Sequence, residues 1–101
     1  MAGQDPPIIE SRRVQVRGLV QGVGYRHACV QQARRLGVTG WVRNRADGSV
    51  EALLQGTPDQ LARMCQWMRH EVPAARVDHR EMAVVAPRSQ AFDGFEQHPT
   101  A

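Results

Sequence analysis

The spacing of apolar residues changes abruptly near the start of the chain, and that change limits the folds available. From Arg13 to Val20 the sequence Arg-Val-Gln-Val-Arg-Gly-Leu-Val sets Val14 and Val16, then Leu19 and Val20, among polar residues. Alternation with period two marks a strand with one buried face. Beyond Gln21-Gly22-Val23-Gly24 the apolar positions become Tyr25, Cys29, Ala33 and Leu36, a helical spacing that stops at Gly37. Glycine adopts the left-handed cap that ends a helix, so Gly37 is a natural terminator. A strand that turns through glycines straight into an amphipathic helix opens a domain in which helices cover a sheet.

The remaining elements follow the same reasoning. Val38-Thr39-Gly40-Trp41-Val42-Arg43 is rich in β-branched and aromatic types and reads as a second strand. Asn44-Arg45-Ala46-Asp47-Gly48 is a hairpin connection, because Asp-Gly readily supplies positive φ, and Ser49 to Gln55 returns as a third strand closed by Gly56. Thr57-Pro58-Asp59-Gln60 starts a second helix: Thr57 caps, Pro58 suits the first position and Gln60 completes a capping box. Leu61, Met64, Cys65 and Met68 form its apolar stripe, and Pro73 ends it. Arg76 to Ala86 is a fourth strand, interrupted by Arg80 and Glu81. Phe92 and Phe95 leave room for a short fifth strand, against which Gln97 and Pro99 argue.

The order β-α-β-β-α-β over about 70 residues is the split βαβ plan. It predicts an α+β, ferredoxin-like sandwich: a four-stranded antiparallel sheet with both helices on one face. Residues 1–11 are expected as a disordered tail and residues 12–98 as a single domain. If the second strand lies beside the first, its end comes close to the loop that follows strand one.

Composition excludes several function classes. All 13 basic residues are arginine, against 10 acidic residues, for a net charge of +3. The arginines are scattered, whereas a nucleic-acid footprint needs them clustered on one face. No run of apolar residues is long enough to span a membrane. The first residues, Met1-Ala2-Gly3-Gln4-Asp5-Pro6-Pro7, lack the basic start and apolar run of a secretory signal, so a cytoplasmic location is the expectation. Cys29 and Cys65 both fall on helix stripes; reduced buried thiols are favoured over a disulfide. His27, His70, His79 and His98 are far apart and no CxxC occurs, so no metal site is expected.

The glycine turn has its own chemistry. Glycines let successive backbone N–H groups of Gln21, Gly22, Val23, Gly24, Tyr25 and Arg26 point into one concavity, a nest for an anion. The helix N-terminus adds unsatisfied N–H groups and a favourable dipole. Arg26 sits in the first helical turn, where a cation disfavours the helix unless an anion neutralises it, and its guanidinium matches phosphate through two parallel hydrogen bonds. The pattern is neither a P-loop, which needs Gly-Lys-Ser/Thr, nor Gly-x-Gly-x-x-Gly, since His27 occupies the last place. Asn44 has two readings: a turn residue, or an amide that both donates and accepts and so can orient a water. His27 reads as a solvent-facing helix residue.

Gly18-Leu19-Val20-Gln21-Gly22-Val23-Gly24-Tyr25-Arg26 resembles the first signature of the acylphosphatase family, and Gly40-Trp41-Val42-Arg43-Asn44-Arg45-Ala46-Asp47-Gly48-Ser49-Val50, continuing to Gly56, resembles its second. The resemblance covers about residues 13 to 86. It implies an enzyme that hydrolyses acyl phosphates to a carboxylate and inorganic phosphate, with phosphate as product and competitive ligand. It implies that Arg26 and the loop amides hold the phosphoryl group and that Asn44 holds the attacking water. No metal, cofactor, nucleic acid, membrane or covalent intermediate is implied, and nothing demands more than a monomer. Tyr25 stands where Phe is common in the family, a change that still buries a ring.

Two other classes compete. A ferredoxin-like nucleic-acid module would present exposed aromatics on its central strands for base stacking. An interaction domain would bind an anion without turnover.

Overall fold

The structure is a computed structural model that describes residues 8–86 and 92–101. Seven elements follow in chain order: β1 (Glu10–Leu19), α1 (Tyr25–Leu36), β2 (Thr39–Asn44), β3 (Val50–Gly56), α2 (Pro58–His70), β4 (Arg76–Val85) and β5 (Phe95–Gln97). The expected β-α-β-β-α-β order is present, with β5 added at the end.

The sheet has five strands in the order β4-β1-β3-β2-β5. Two expectations change here. The second strand does not lie beside the first: β3 stands between them and pairs antiparallel with both. A tight hairpin makes β2 and β3 neighbours, and β3 then takes the free edge of β1. The fifth strand does form. It pairs parallel to β2, with Gly40 opposite Phe95 and Val42 opposite Gln97, so the sheet is not purely antiparallel. Phe95 anchors it, being 1% exposed in the core, and this burial outweighs the poor strand character of Gln97 and Pro99.

The sheet also begins earlier than expected. Residues 1–7 of the presumed tail lie outside the described residues, and Ile8 and Ile9 are exposed. Glu10 and Ser11 belong to β1, because Gly56 and Gln55 at the end of β3 offer them ladder partners.

One face of the sheet carries the core. Val14 and Val16 of β1, Val42 of β2, and Val50, Ala52 and Leu54 of β3 are fully buried. They pack with Tyr25, Cys29 and Ala33 of α1 and with Leu61, Met64, Cys65 and Met68 of α2 in one cluster. Both cysteines are free and buried. The second helix begins as its sequence requires: the Thr57 hydroxyl accepts from the Gln60 N–H, and the Gln60 carboxamide accepts from the Thr57 N–H. It ends at His70, ahead of Pro73. Gly40 is fixed by contact, since a Cβ there would collide with the Leu53 carbonyl.

The opposite face is organised by charge. The Glu51 carboxylate, 3% exposed, accepts from Arg13, from Arg43 at 2.8 Å and from Arg45 at 3.0 Å. Burial alone would raise its pKa, but three guanidinium donors overcome that and hold it below the usual glutamate range. Arg43 also lies over the Trp41 ring at 4.7 Å, and His98 stacks on Trp41 at 5.3 Å.

A carboxyl whose pKa is lowered by folding stabilises the fold above its unfolded value, near ~4.3, and that stability is lost as pH falls through the lowered value. Glu51→Gln should therefore cost about 1–2 kcal/mol at pH 7. The deficit should shrink below pH ~4 and vanish once the wild-type carboxyl is protonated. Urea midpoints of the two proteins across pH 2–7 measure this; a pH-independent difference would contradict it.

Candidate active site

The loop between β1 and α1 is short, and its shape comes from two glycines. Gly22 and Gly24 have φ of 75° and 79°, a left-handed conformation that a side chain would strain. Gly24 is also the residue that starts α1, and it brings no side-chain cap. No acidic residue stands in the first turn of α1. The contrast with α2, capped at both Thr57 and Gln60, is physical: the first-turn N–H groups of α1 have no intrahelical acceptors and no side chain supplies one. Arg26 lies in that open turn, half-buried, and makes no ion pair or hydrogen bond among the described residues. Positive charge, a dipole and bare N–H groups thus meet at one end of the helix.

Asn44 is the last residue of β2 rather than a turn residue. It pairs with Val50, which pairs in turn with Val16 on its other side. Opposed residues in a ladder point to the same face. The Asn44 side chain therefore lies on the helix-covered face, at the end where α1 begins. Its Oδ1 is buried and has no hydrogen-bond partner among the described residues. The outer edge of β2 is held at the same level: His98 N–H donates to Val42 O at 2.9 Å and Ala101 N–H to Asn44 O at 3.0 Å.

These groups border one cavity of about 130 Å³. Pockets for drug-sized ligands run to roughly 300–1,000 Å³, so this one suits a small polyatomic group and little else. Gly22, Gly24, Tyr25, Arg26 and Asn44, all expected at the site, line it together. Gln21 and Val23 do not. Val23 packs against the core, and the Gln21 side chain turns to the β2–β3 connection.

Three wall residues escaped the sequence reading: Val20, His27 and Gln97. Val20, just past the end of β1, is buried, but nothing local shows that it faces a cavity. His27 is exposed as expected and stands on the wall as well; its place beside Arg26 was the available signal. Gln97 arrives through the parallel pairing of β5, which no local pattern encodes.

The buried titratable groups near the site are structural. The Tyr25 hydroxyl donates to the Met68 carbonyl at 2.7 Å. Burial, with Cys29 and Cys65 nearby, pushes its ionisation far above the usual tyrosine range. Burial likewise raises Cys29 well beyond an ordinary thiol, which keeps it protonated and inert. Among the described residues no three His, Cys, Asp or Glu side chains gather where they could hold a metal ion, and no helix is long and apolar enough to cross a membrane.

Comparison with known proteins places this geometry in context. The family model described as Acylphosphatase matches residues 12–97. The chain is 56% identical over 96 residues to acylphosphatase 1 of Ralstonia nicotianae, covering 95% of this chain and 94% of that protein. It is 55% identical over 95 residues to an acylphosphatase of Bordetella avium, covering 94% and 99%. Among solved structures, an acylphosphatase from Coxiella burnetii superimposes with a TM-score of 0.83 at 28% identity, covering 89% of this chain and 93% of that one.

The Tyr25 hydroxyl satisfies a carbonyl in the last turn of α2, where four backbone acceptors have no helical partner. Tyr25→Phe should keep the ring's packing and leave that carbonyl bare. A loss of about 1 kcal/mol is expected, read as a lower urea midpoint with unchanged slope. An unchanged midpoint would show that water replaces the hydroxyl.

Proposed function

The chain belongs to the acylphosphatase family, enzymes that hydrolyse acyl phosphates to a carboxylate and inorganic phosphate, and from that premise we propose that Arg26 holds the phosphoryl group and Asn44 positions the attacking water. One observation carries this assignment: a buried Asn44 Oδ1 and an Arg26 that have no partner among the described residues share a cavity wall with a helix N-terminus that lacks a side-chain cap. An acceptor and a set of donors, all unsatisfied, face the same space.

The phosphoryl oxygens sit against the N–H groups around Gly22, Gly24 and Tyr25 and the guanidinium of Arg26. The amides supply fixed dipoles that need no reorganisation as charge shifts during transfer, which is where most of the rate comes from in such sites. Arg26 adds a full charge and two parallel donors. A water donates to Asn44 Oδ1, and the carboxamide turns its lone pair towards phosphorus, in line with the departing carboxylate. A carboxylate leaves as a stable anion, so no acid has to protonate it. The water's proton passes to the phosphate, and the reading requires neither metal nor covalent intermediate. Inorganic phosphate is both product and competitive ligand. The site is made by one chain, so a monomer suffices, and free buried cysteines suit a cytoplasmic setting.

The base-stacking alternative lacks its residues. On the face away from the helices, β1 carries Ser11, Arg13, Gln15 and Arg17 and β3 carries Glu51, Leu53 and Gln55, none aromatic. Trp41, on β2, is already in contact with His98 and Arg43.

Two substitutions separate the roles. Arg26→Ala should lose phosphate affinity and turnover together, because the phosphate loses its fixed charge. Asn44→Ala should keep phosphate affinity and lose turnover by about two to three orders of magnitude. Both are measured with benzoyl phosphate in excess chelator. Near-normal turnover in Arg26→Ala would overturn the cradle. Phosphate binding by a folded wild type without hydrolysis would favour an anion-binding domain.

A further inference from the structure

The carboxamide of Gln21 ties the two halves of the site together. Its Nε2 carries two N–H bonds and uses both: it lies 2.9 Å from the carbonyl oxygen of Arg45 and 2.8 Å from that of Ser49. These acceptors are 24 and 28 residues away in sequence. They are also the two ends of the β2–β3 connection. The Arg45 N–H donates to Ser49 O at 2.8 Å, and the Gly48 N–H to Arg45 O at 3.1 Å. Arg45 follows Asn44 directly, so the clamp grips the chain one residue from the amide that holds the water.

The connection itself has other sources of rigidity. Asp47 Oδ1 accepts from the Ser49 N–H at 2.9 Å and from its hydroxyl at 2.5 Å. Those bonds to Ser49, with Arg17 at 3.2 Å, draw the Asp47 carboxyl down to about 2. Gln15 Nε2 donates to the Ser49 hydroxyl at 2.8 Å from the other side. The turn is therefore closed without Gln21. Gln15 and Arg17 tie this closed turn to β1, and Gln21 ties it to the glycine loop itself.

We propose that the Gln21 side chain is a positioning residue that fixes the distance from Asn44 to the phosphate cradle, and so governs the alignment of the attacking water rather than the binding of phosphate. The proposal rests on the reading of Asn44 and Arg26 given above. Gln21→Met keeps the length of the side chain and removes both donors. Gln21→Glu is harsher, since it sets a carboxylate against two carbonyl oxygens.

The test uses benzoyl phosphate turnover and competitive inhibition by inorganic phosphate in wild type, Gln21→Met, Gln21→Glu, Asn44→Ala and the double variant Gln21→Met/Asn44→Ala, with a thermal melt of each. In Gln21→Met, kcat should fall about tenfold to a hundredfold, as misalignment of a reacting group does. The inhibition constant of phosphate should stay within about threefold, the signature of an interaction made only in the transition state. The double variant should be no slower than Asn44→Ala, because two residues acting through one group are not additive. Wild-type kcat in Gln21→Met overturns the proposal. So does an equal loss of phosphate affinity, a fully additive double variant, or melting of Gln21→Met below the assay temperature. If Gln21→Glu alone fails to fold, Gln21→Met decides. A wild type without turnover, or an Asn44→Ala as fast as wild type, would instead overturn the assignment of Asn44 on which this one stands.

Discussion

The antiparallel pairing of β3 with both β1 and β2 is the constraint from which the site follows. Because β3 runs against each neighbour, β1 and β2 run the same way and their C-terminal ends lie at one end of the sheet. The glycine loop leaves β1 there, and Asn44 ends β2 there. Val50, at the start of β3, sits between Val16 and Asn44 as their common ladder partner. Register then decides the face. Had β2 slipped by one residue, Asn44 would point away from the helices and Arg43 towards them. The slip is blocked because Val42 would leave the core, where it is fully buried, and Trp41 would enter it.

The two loops brought together in this way differ in what they contribute, and each is firm for its own reason. The glycine loop gives main-chain donors and depends on positive φ at Gly22 and Gly24. The end of β2 carries the bare acceptor of Asn44, and the connection that follows it is held by ordinary hydrogen bonds through Asp47 and Ser49. Beneath that connection Glu51 gathers Arg13, Arg43 and Arg45, so the strand ends are drawn together by charge on the open face as they are by burial on the covered one. Tyr25 links the start of α1 to the end of α2 and so orients the helix whose N-terminus is exposed to the cavity.

Most of the elements were legible from local chemistry. The change of period at Gly22 to Gly24, the left-handed Gly37, the Thr57–Gln60 capping box and the stripe from Leu61 to Met68 all act within a turn or two of chain. Each is realised. The resemblance of two long segments to one family added the function, which the fold could not. What was not legible depends on pairing between distant segments. Nothing near Val50 says that β3 separates β1 from β2. Nothing near Gln97 says that it pairs in parallel with Val42 and enters the cavity wall. Five of the seven expected site residues line the cavity; Val23 packs against the core, and Gln21 was expected for its main-chain N–H, whereas only the structure reveals where its carboxamide goes.

The same groups that make the cavity a site are ones that folding would otherwise penalise. A buried acceptor left bare, as at Asn44, costs about 1–3 kcal/mol, and an unneutralised cation in the first turn of a helix adds a few tenths more. A chain selected for stability alone would cap α1 as it caps α2. It does not, and the deficit is borne by the core under the sheet and by the ionic cluster over it. The polar groups on the cavity wall are few: main-chain dipoles, one guanidinium, the carboxamides of Asn44 and Gln97, and the imidazole of His27. For an anhydride whose leaving group departs as a stable anion, that is sufficient, since the reaction asks for charge stabilisation and alignment and little proton transfer. The small cavity, which suits a phosphoryl group and little else, follows from the same fact, the reactivity of the bond that is cleaved.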